Sequence, residues 1–194
     1  MQIHAVILAA GGSTRLGSPK QLLAHEGESL LRRSVQTAIS SRAAAVTVVL
    51  GCDEQRMREE LAGITGITIA LNADWREGMA SSIRTGIASL PPGADGAIIM
   101  LVDQPRVSSR ILDDLMELHT TAGSDIAACR YDNGPGVPAL FPASFFTELL
   151  SLNGDRGARG VIRAHPGRVS LIDFPDGAID IDTPEQMHFL RPLH

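Results

Sequence analysis

The residues best suited to chemistry lie together near the start of the chain. Leu8-Ala9-Ala10-Gly11-Gly12-Ser13-Thr14-Arg15-Leu16-Gly17-Ser18-Pro19-Lys20 follows a short apolar run. Small side chains there let backbone N–H groups come close to an anion. Arg15 and Lys20 add fixed positive charge, and an arginine can grip a phosphate through two parallel hydrogen bonds. The same glycines also suit a plain tight bend between a strand and a helix, and both readings stand at this point. The segment is not a P-loop, because the Gly-Lys-Ser/Thr ending is missing. It also lacks Gly-x-Gly-x-x-Gly, which leaves a plain NAD-binding oxidoreductase without its fingerprint.

Carboxylates supply the second kind of chemistry. Asp103, in Leu101-Val102-Asp103-Gln104-Pro105, closes a strongly apolar run. A carboxylate at a strand end suits Mg²⁺, which usually takes one or two carboxylates and completes its shell with substrate phosphates. A turn or helix cap before Pro105 is the alternative. In Asp180-Ile181-Asp182-Thr183-Pro184 the alternation puts both aspartates on one face of a short strand. Either can complete a metal site with Asp103, or Asp182 and Thr183 can cap a closing helix.

A polar stretch, residues 72–82, offers a third group. Asn72 carries donors and an acceptor for a base or ribose. Ser81 and Ser82 open a helix whose N-terminus favours anions, although capping and turn chemistry accounts for the same residues. Trp75, the sole tryptophan, reads as a packing residue. The six histidines form no metal-binding pair, and no Gly-x-Ser-x-Gly elbow occurs. Cys52 and Cys129 have no metal-ligand spacing and read as small apolar residues.

These groups need a scaffold that gathers them. Strands are predicted at 3–9, 45–50, 67–71, 97–102, 169–173 and 178–181. A hairpin is predicted from 126–130 and 137–141 around Asp132-Asn133-Gly134, adding a small mixed edge. Helical spacing is predicted at 29–41 with Ser29 as cap, 53–62 with Asp53 as cap, 79–90, and 108–120 with Ser108 or Ser109 as cap. It recurs at 143–152, 158–164 and 184–190. Strands alternating with helices give an α/β fold with a mainly parallel sheet and helices on both faces. Ligands of such sheets sit beyond the carboxyl ends of the strands. The Gly11 loop, the Asn72 loop and Asp103 all fall there.

Bulk properties agree. The 194 residues fit one domain spanning 1–194, and 44% hydrophobic with 20% charged residues is ordinary globular composition. A net charge of −5 argues against a nucleic-acid partner. The start lacks the basic and apolar regions of a secretion signal, and no apolar run reaches membrane-spanning length. A cytoplasmic protein with no membrane partner is expected.

Taken in order, Leu-Ala-Ala-Gly-Gly-x-x-Arg-Leu-Gly-x-x-Lys, residues 72–82, Asp103-Gln104-Pro105, Gly136-Val137-Pro138 and residues 180–184 resemble the MobA-like nucleotidyltransferases. The molybdenum cofactor cytidylyltransferase branch is the most similar. The resemblance implies a three-layer Rossmann-like nucleotidyltransferase fold with a mainly parallel mixed sheet. It implies transfer of CMP from CTP to molybdopterin or its molybdenum-loaded form, with Mg²⁺ as cofactor and pyrophosphate released. It also implies a link to a xanthine dehydrogenase-class enzyme or its maturation chaperone.

By motif, Leu8, Ala9, Ala10, Gly11 and Gly12 would line the nucleotide, and Arg15 and Lys20 would hold its phosphates. Asp103 and Asp182 would bind Mg²⁺. Asn72 and Ser82 would complete the nucleotide pocket in the N-terminal part, with Gly136 and Pro138 nearer the acceptor in the C-terminal part. Cytidylyltransferases of this branch often have Gly-His-Pro where this chain has Gly136-Val137-Pro138. Pro19-Lys20-Gln21 resembles the methylerythritol phosphate cytidylyltransferases. GTP in place of CTP, another phosphorylated acceptor, and a non-catalytic escort of nucleotide or cofactor are the alternatives.

Overall fold

A central strand buried on both faces organises the chain. In the computed structural model, which describes residues 1–13, 16–123, 125–131, 134–179, 181 and 186, β1 (Ile3–Leu8) is buried at every position. After it come a two-stranded ribbon of β2 (Ala24–His25) and β3 (Glu28–Ser29), then α1 (Leu30–Ile39), β4 (Ala45–Leu50), α2 (Glu54–Glu60) and β5 (Ile67–Leu71). The order continues with α3 (Met79–Ala88), β6 (Gly96–Leu101), α4 (Ser109–Ala122), β7 (Ile126–Tyr131) and β8 (Gly134–Pro142). It ends with α5 (Phe146–Leu150), α6 (Ala158–Ala164) and β9 (Val169–Asp173).

Seven strands form one sheet in the order β5-β4-β1-β6-β8-β7-β9. All are parallel except β8, which runs antiparallel to both neighbours. Alternation along β1 divides the core. Ile3, Ala5 and Ile7 face α1, α2 and α4 through Leu31, Met57 and Leu112. Val6 and Leu8 face α3, α5 and α6 through Ile83, Leu149 and Val161. Helices therefore cover both faces, as a mainly parallel sheet requires. Each fully buried Leu or Ile adds about 1.5–3 kcal/mol.

Chain order sets the ligand position. From β1 the chain steps outward to β4 and β5, then returns to β6 on the other side of β1. The switch lies between β1 and β6, whose last residues, Leu8 and Leu101, are paired. Ligands of open α/β sheets bind at such a point.

Several expectations need correction. The 126–142 hairpin is not a small edge: β8 pairs directly with β6 and carries β7 and β9 outward. Its length supplies enough ladder to join two halves of the sheet. The strand expected at 178–181 does not begin there, because Pro175–Ala178 is a 3-10 turn. Pro175 starts that turn with a fixed φ and no N–H to donate to a ladder. Asp53 precedes α2 but sits in the left-handed region at φ 52° and forms no side-chain cap. Ser108 precedes α4 without capping it. Ser29 does cap α1, accepting from the Arg32 N–H at 3.1 Å. The helix expected at 184–190 lies outside the described residues except Gln186, as do Asp132 and Asn133 of the hairpin turn.

The two thiols differ sharply in environment. Cys129 is fully buried in β7, and burial pushes its thiol from the ordinary 9.0 up to about 12. Cys52 is partly exposed. In the native chain a disulfide reagent at pH 8 is expected to modify Cys52 and spare Cys129; equal reaction of both would contradict the packing. The raised value stabilises the fold fully below about pH 9. The contribution is lost above that pH, as the unfolded chain's thiol ionises first. Urea midpoints above about pH 9 should therefore fall less steeply in Cys129→Val.

Candidate active site

The Gly11 loop is an arch held from beneath. Beyond β1 the Ala9 N–H still donates to Val49 O at 3.0 Å, and Ala10 O accepts from the Cys52 N–H at 3.0 Å. Gln21, 1% exposed, donates from Nε2 to Ala9 O at 2.8 Å and to Gly11 O at 2.7 Å. Ser13 Oγ accepts from the Lys20 N–H at 2.9 Å. Gln21 thus ties the loop's start to the 3-10 turn Lys20–Leu22, so Lys20 returns to the strand end that the chain left at Leu8. A Cβ on Gly11 would meet nothing within 4 Å, which marks open space above the loop. A Cβ on Gly12 would lie 3.1 Å from the Trp75 ring. The small residues therefore serve both open space and close packing.

Asp103 follows β6 and is only 6% exposed. Its Oδ2 accepts from Lys20 Nζ. Its Oδ1 is buried and meets no donor among the described residues. A buried carboxylate oxygen without a partner costs free energy, and an added cation would offset that cost. The site's donor chemistry thus fits an oxygen-seeking metal ion. Asp103 O also accepts from the Ile181 N–H at 3.1 Å, which places Ile181 beside it. Asp180 and Asp182, the sequence neighbours of Ile181, lie outside the described residues. So do Thr14 and Arg15.

A cleft of about 530 Å³ opens over these groups. Leu8, Ala9, Ala10, Gly11, Gly12, Lys20 and Asp103 all line it. Ser82 also lines it, from the first turn of α3. Gly86 allows this placement: a Cβ there would lie 2.4 Å from Val6 Cγ1, so only glycine lets α3 press onto β1.

Asn72 is drawn near the cleft without lining it. Its Nδ2 donates to Ser81 Oγ at 2.8 Å and Ser82 Oγ at 3.0 Å, and its Oδ1 accepts from the Asp74 N–H at 3.0 Å. The amide thus holds Ser82, which does line the cleft.

Sequence reasoning missed part of the wall. Trp75, Arg76, Gly78, Met79 and Asp155 also line the cleft. The Arg76 guanidinium lies 4.3 Å from the Trp75 ring centre. Asp155 arrives because Gly154 O accepts from the Ala80 N–H at 3.1 Å, docking a distant loop on the start of α3. Nothing in the sequence around Asp155 marks more than a turn.

A second, smaller pocket of about 170 Å³ adjoins the first and shares Leu8, Met79 and Leu101 with it. Gly136 lines it; Pro138 is buried and does not. Val137, joined to Pro138 by a cis peptide bond, lines it in Pro138's place.

The family model for the MobA-like NTP transferase domain matches residues 5–169, which contain both pockets. The chain is a MobA-like NTP transferase. This transferase is 33% identical to nicotine blue oxidoreductase of Paenarthrobacter nicotinovorans, over 97% of the chain and 96% of that protein. It is 31% identical to the purine catabolism protein PucB of Bacillus subtilis, over 96% and 94%. Molybdenum cofactor cytidylyltransferase of Escherichia coli is 24% identical over 94% and 92%. A crystal structure of Rv0371c of Mycobacterium tuberculosis in complex with manganese superposes with a TM-score of 0.80 at 30% identity, covering 97% of each chain. The mixed seven-stranded sheet with helices on both faces matches the nucleotidyltransferase fold. Among its described residues, no helix is long and apolar enough to cross a membrane.

Proposed function

We propose that the chain transfers CMP from CTP to the terminal phosphate of a molybdopterin-type acceptor. The observation that carries this reading is the Lys20–Asp103 pair after β6, both residues lining the cleft and Asp103 Oδ1 unpartnered among the described residues. Residues 1–194 act as one transferase domain, with the nucleotide on the N-terminal part and the acceptor on the C-terminal part.

Asp103 would hold Mg²⁺, with Asp182 as second protein ligand. When bound, the ion neutralises charge on the α-phosphate and on the leaving pyrophosphate. Leu8 to Gly12 seat the nucleotide against the β1 edge. Ser82, held by Asn72, offers a hydroxyl to base or ribose. Arg15 and Lys20 take the triphosphate, so Lys20 exchanges Asp103 for phosphate oxygen.

An oxygen of the acceptor phosphate then attacks the α-phosphorus. One P–O bond forms, the bond to the β-phosphate breaks, and pyrophosphate leaves in line with Lys20 and Arg15 against its charge. A phosphate nucleophile is already ionised at neutral pH, so no general base is needed. Positioning and fixed charge carry the catalysis.

The name of one relative, nicotine blue oxidoreductase, favours a second reading, redox chemistry on nicotine blue, because that relative matches nearly the whole chain. Pyrophosphate release should be measured with CTP, GTP, ATP and UTP, with Mg²⁺, with and without molybdopterin. NAD(P)H oxidation with nicotine blue runs in parallel. Release with CTP only when molybdopterin is present is the expected result. GTP preference would move the chain to guanylyl transfer, and NAD(P)H oxidation without pyrophosphate would replace the proposal by the second reading. The chain's product would serve a xanthine dehydrogenase-class enzyme, reached directly or through its maturation chaperone.

A further inference from the structure

The side chain after Asp103 belongs to the neighbouring pocket. Gln104 is 5% exposed and lines the smaller pocket. Its Nε2 donates to Gly177 O at 2.9 Å, to Val137 O at 3.1 Å and to Tyr131 Oη at 3.1 Å. Two of these partners are backbone carbonyls, which only accept. They fix the amide's direction, since reversing it would set oxygen against oxygen. Gln104 Oε1 is then a buried acceptor held in a set orientation, and it meets no donor among the described residues.

Apolar walls surround this acceptor. Ile83, Ile99, Leu101 and Val137 are among the residues that line it, together with Tyr131 and Arg159. Glycines give the pocket its shape: a Cβ on Gly136 would lie 2.7 Å from the Tyr131 ring, and one on Gly157 would lie 2.8 Å from Met79 Sδ. A small, mostly apolar pocket with one fixed hydrogen-bond acceptor suits a heterocycle that presents an N–H from its edge. The shared residues Leu8 and Leu101 put that heterocycle next to the nucleotide cleft. A phosphate carried on it would have the adjoining cleft, which Asp103 lines, within reach.

We infer that Gln104 determines acceptor specificity by accepting a hydrogen bond, through Oε1, from an edge N–H of the acceptor's flat heterocyclic head seated in the smaller pocket. This rests on the nucleotidyl-transfer reading for the direction of the phosphate; the pocket's preference for an N–H donor stands on its own geometry. A site built to receive a donor discriminates strongly against an analogue lacking it, because its buried acceptor is left unpaired.

The test pairs two ligands with two proteins. Pterin carries ring and amino N–H donors on one edge; its derivative fully N-methylated along that edge carries none. Binding of each to the full chain loaded with CTP and Mg²⁺ is followed by pterin fluorescence. Wild type is expected to bind pterin at least about tenfold more tightly than the methylated compound. Gln104→Met, of similar volume, should bring the two within about twofold while its affinity for CTP stays near wild type.

A purely structural role for Gln104 would weaken both ligands alike and keep their ratio, which would overturn the inference. So would equal binding of the two by wild type. Discrimination by Gln104 together with no CTP-dependent pyrophosphate release would leave this pocket standing and remove the transfer reaction. Pyrophosphate release without discrimination would do the reverse.

Discussion

Asp103→Asn is expected to lower turnover by about a thousandfold or more, on the order of 4 kcal/mol of transition-state stabilisation. Asparagine keeps the shape at the end of β6 but removes the charge that would hold the metal. The loss should appear in kcat and in kcat/KM alike, because the neutralised charge develops at the reacting phosphorus. Folding should survive: Asp103 O, not its side chain, accepts from Ile181, and the core strands do not depend on the carboxylate. Circular dichroism and a cooperative urea transition check that point. A folded Asp103→Asn enzyme with activity within tenfold of wild type would remove the metal role from this residue. Excess Mn²⁺ should bind wild type and leave the variant unlabelled when followed by electron paramagnetic resonance without nucleotide.

Lys20→Met should cost about 2 kcal/mol or more of transition-state stabilisation, roughly thirtyfold in kcat/KM. The methionine keeps most of the stem and deletes the charge. Lys20 has a partner before any nucleotide arrives, since its ammonium bonds Asp103 Oδ2. The same contact gives a second readout with the opposite sign. Without Lys20 competing for the carboxylate, Mn²⁺ alone should bind the variant more tightly than wild type, while CTP binds more weakly. A rate within a factor of two of wild type would sink the phosphate role. Weaker Mn²⁺ binding would instead make Lys20 a support for the metal site.

Much of this arrangement is legible in the sequence, for a physical reason. A buried parallel strand writes itself as a continuous apolar run, and the residues just past its end lie at the ligand-binding edge. Local pattern alone therefore puts residues 8–12 and Asp103 at one edge. Lys20 is placed by its distance from Gly11, although the clamp that returns it, Gln21 to Ala9 and Gly11, gives no pattern of its own.

The features that the sequence does not carry depend on tertiary contacts. Asp155 reaches the cleft only because Gly154 binds the start of α3. Gln104 sits within a recognisable motif, but its three acceptors come from Tyr131, Val137 and Gly177, far along the chain. The versatile amide of Asn72 suggests contact with the nucleotide; the structure engages that amide with Ser81, Ser82 and Asp74. The hairpin's own residues predict β7 and β8, yet alternation does not say which strand meets β6. That choice lies in the register of residues 96–99 with 139–142.

Nucleotidyl transfer and the transfer of a terminal phosphate differ in which phosphorus moves. The full chain should be incubated with Mg²⁺, molybdopterin and CTP labelled either at the α- or at the γ-phosphorus, and the products separated. Label from the α-position in the acceptor product, with γ-label in pyrophosphate, is the expected result. Label from the γ-position in the acceptor, or no acceptor labelling beside measurable CTP binding, would contradict the proposed reaction.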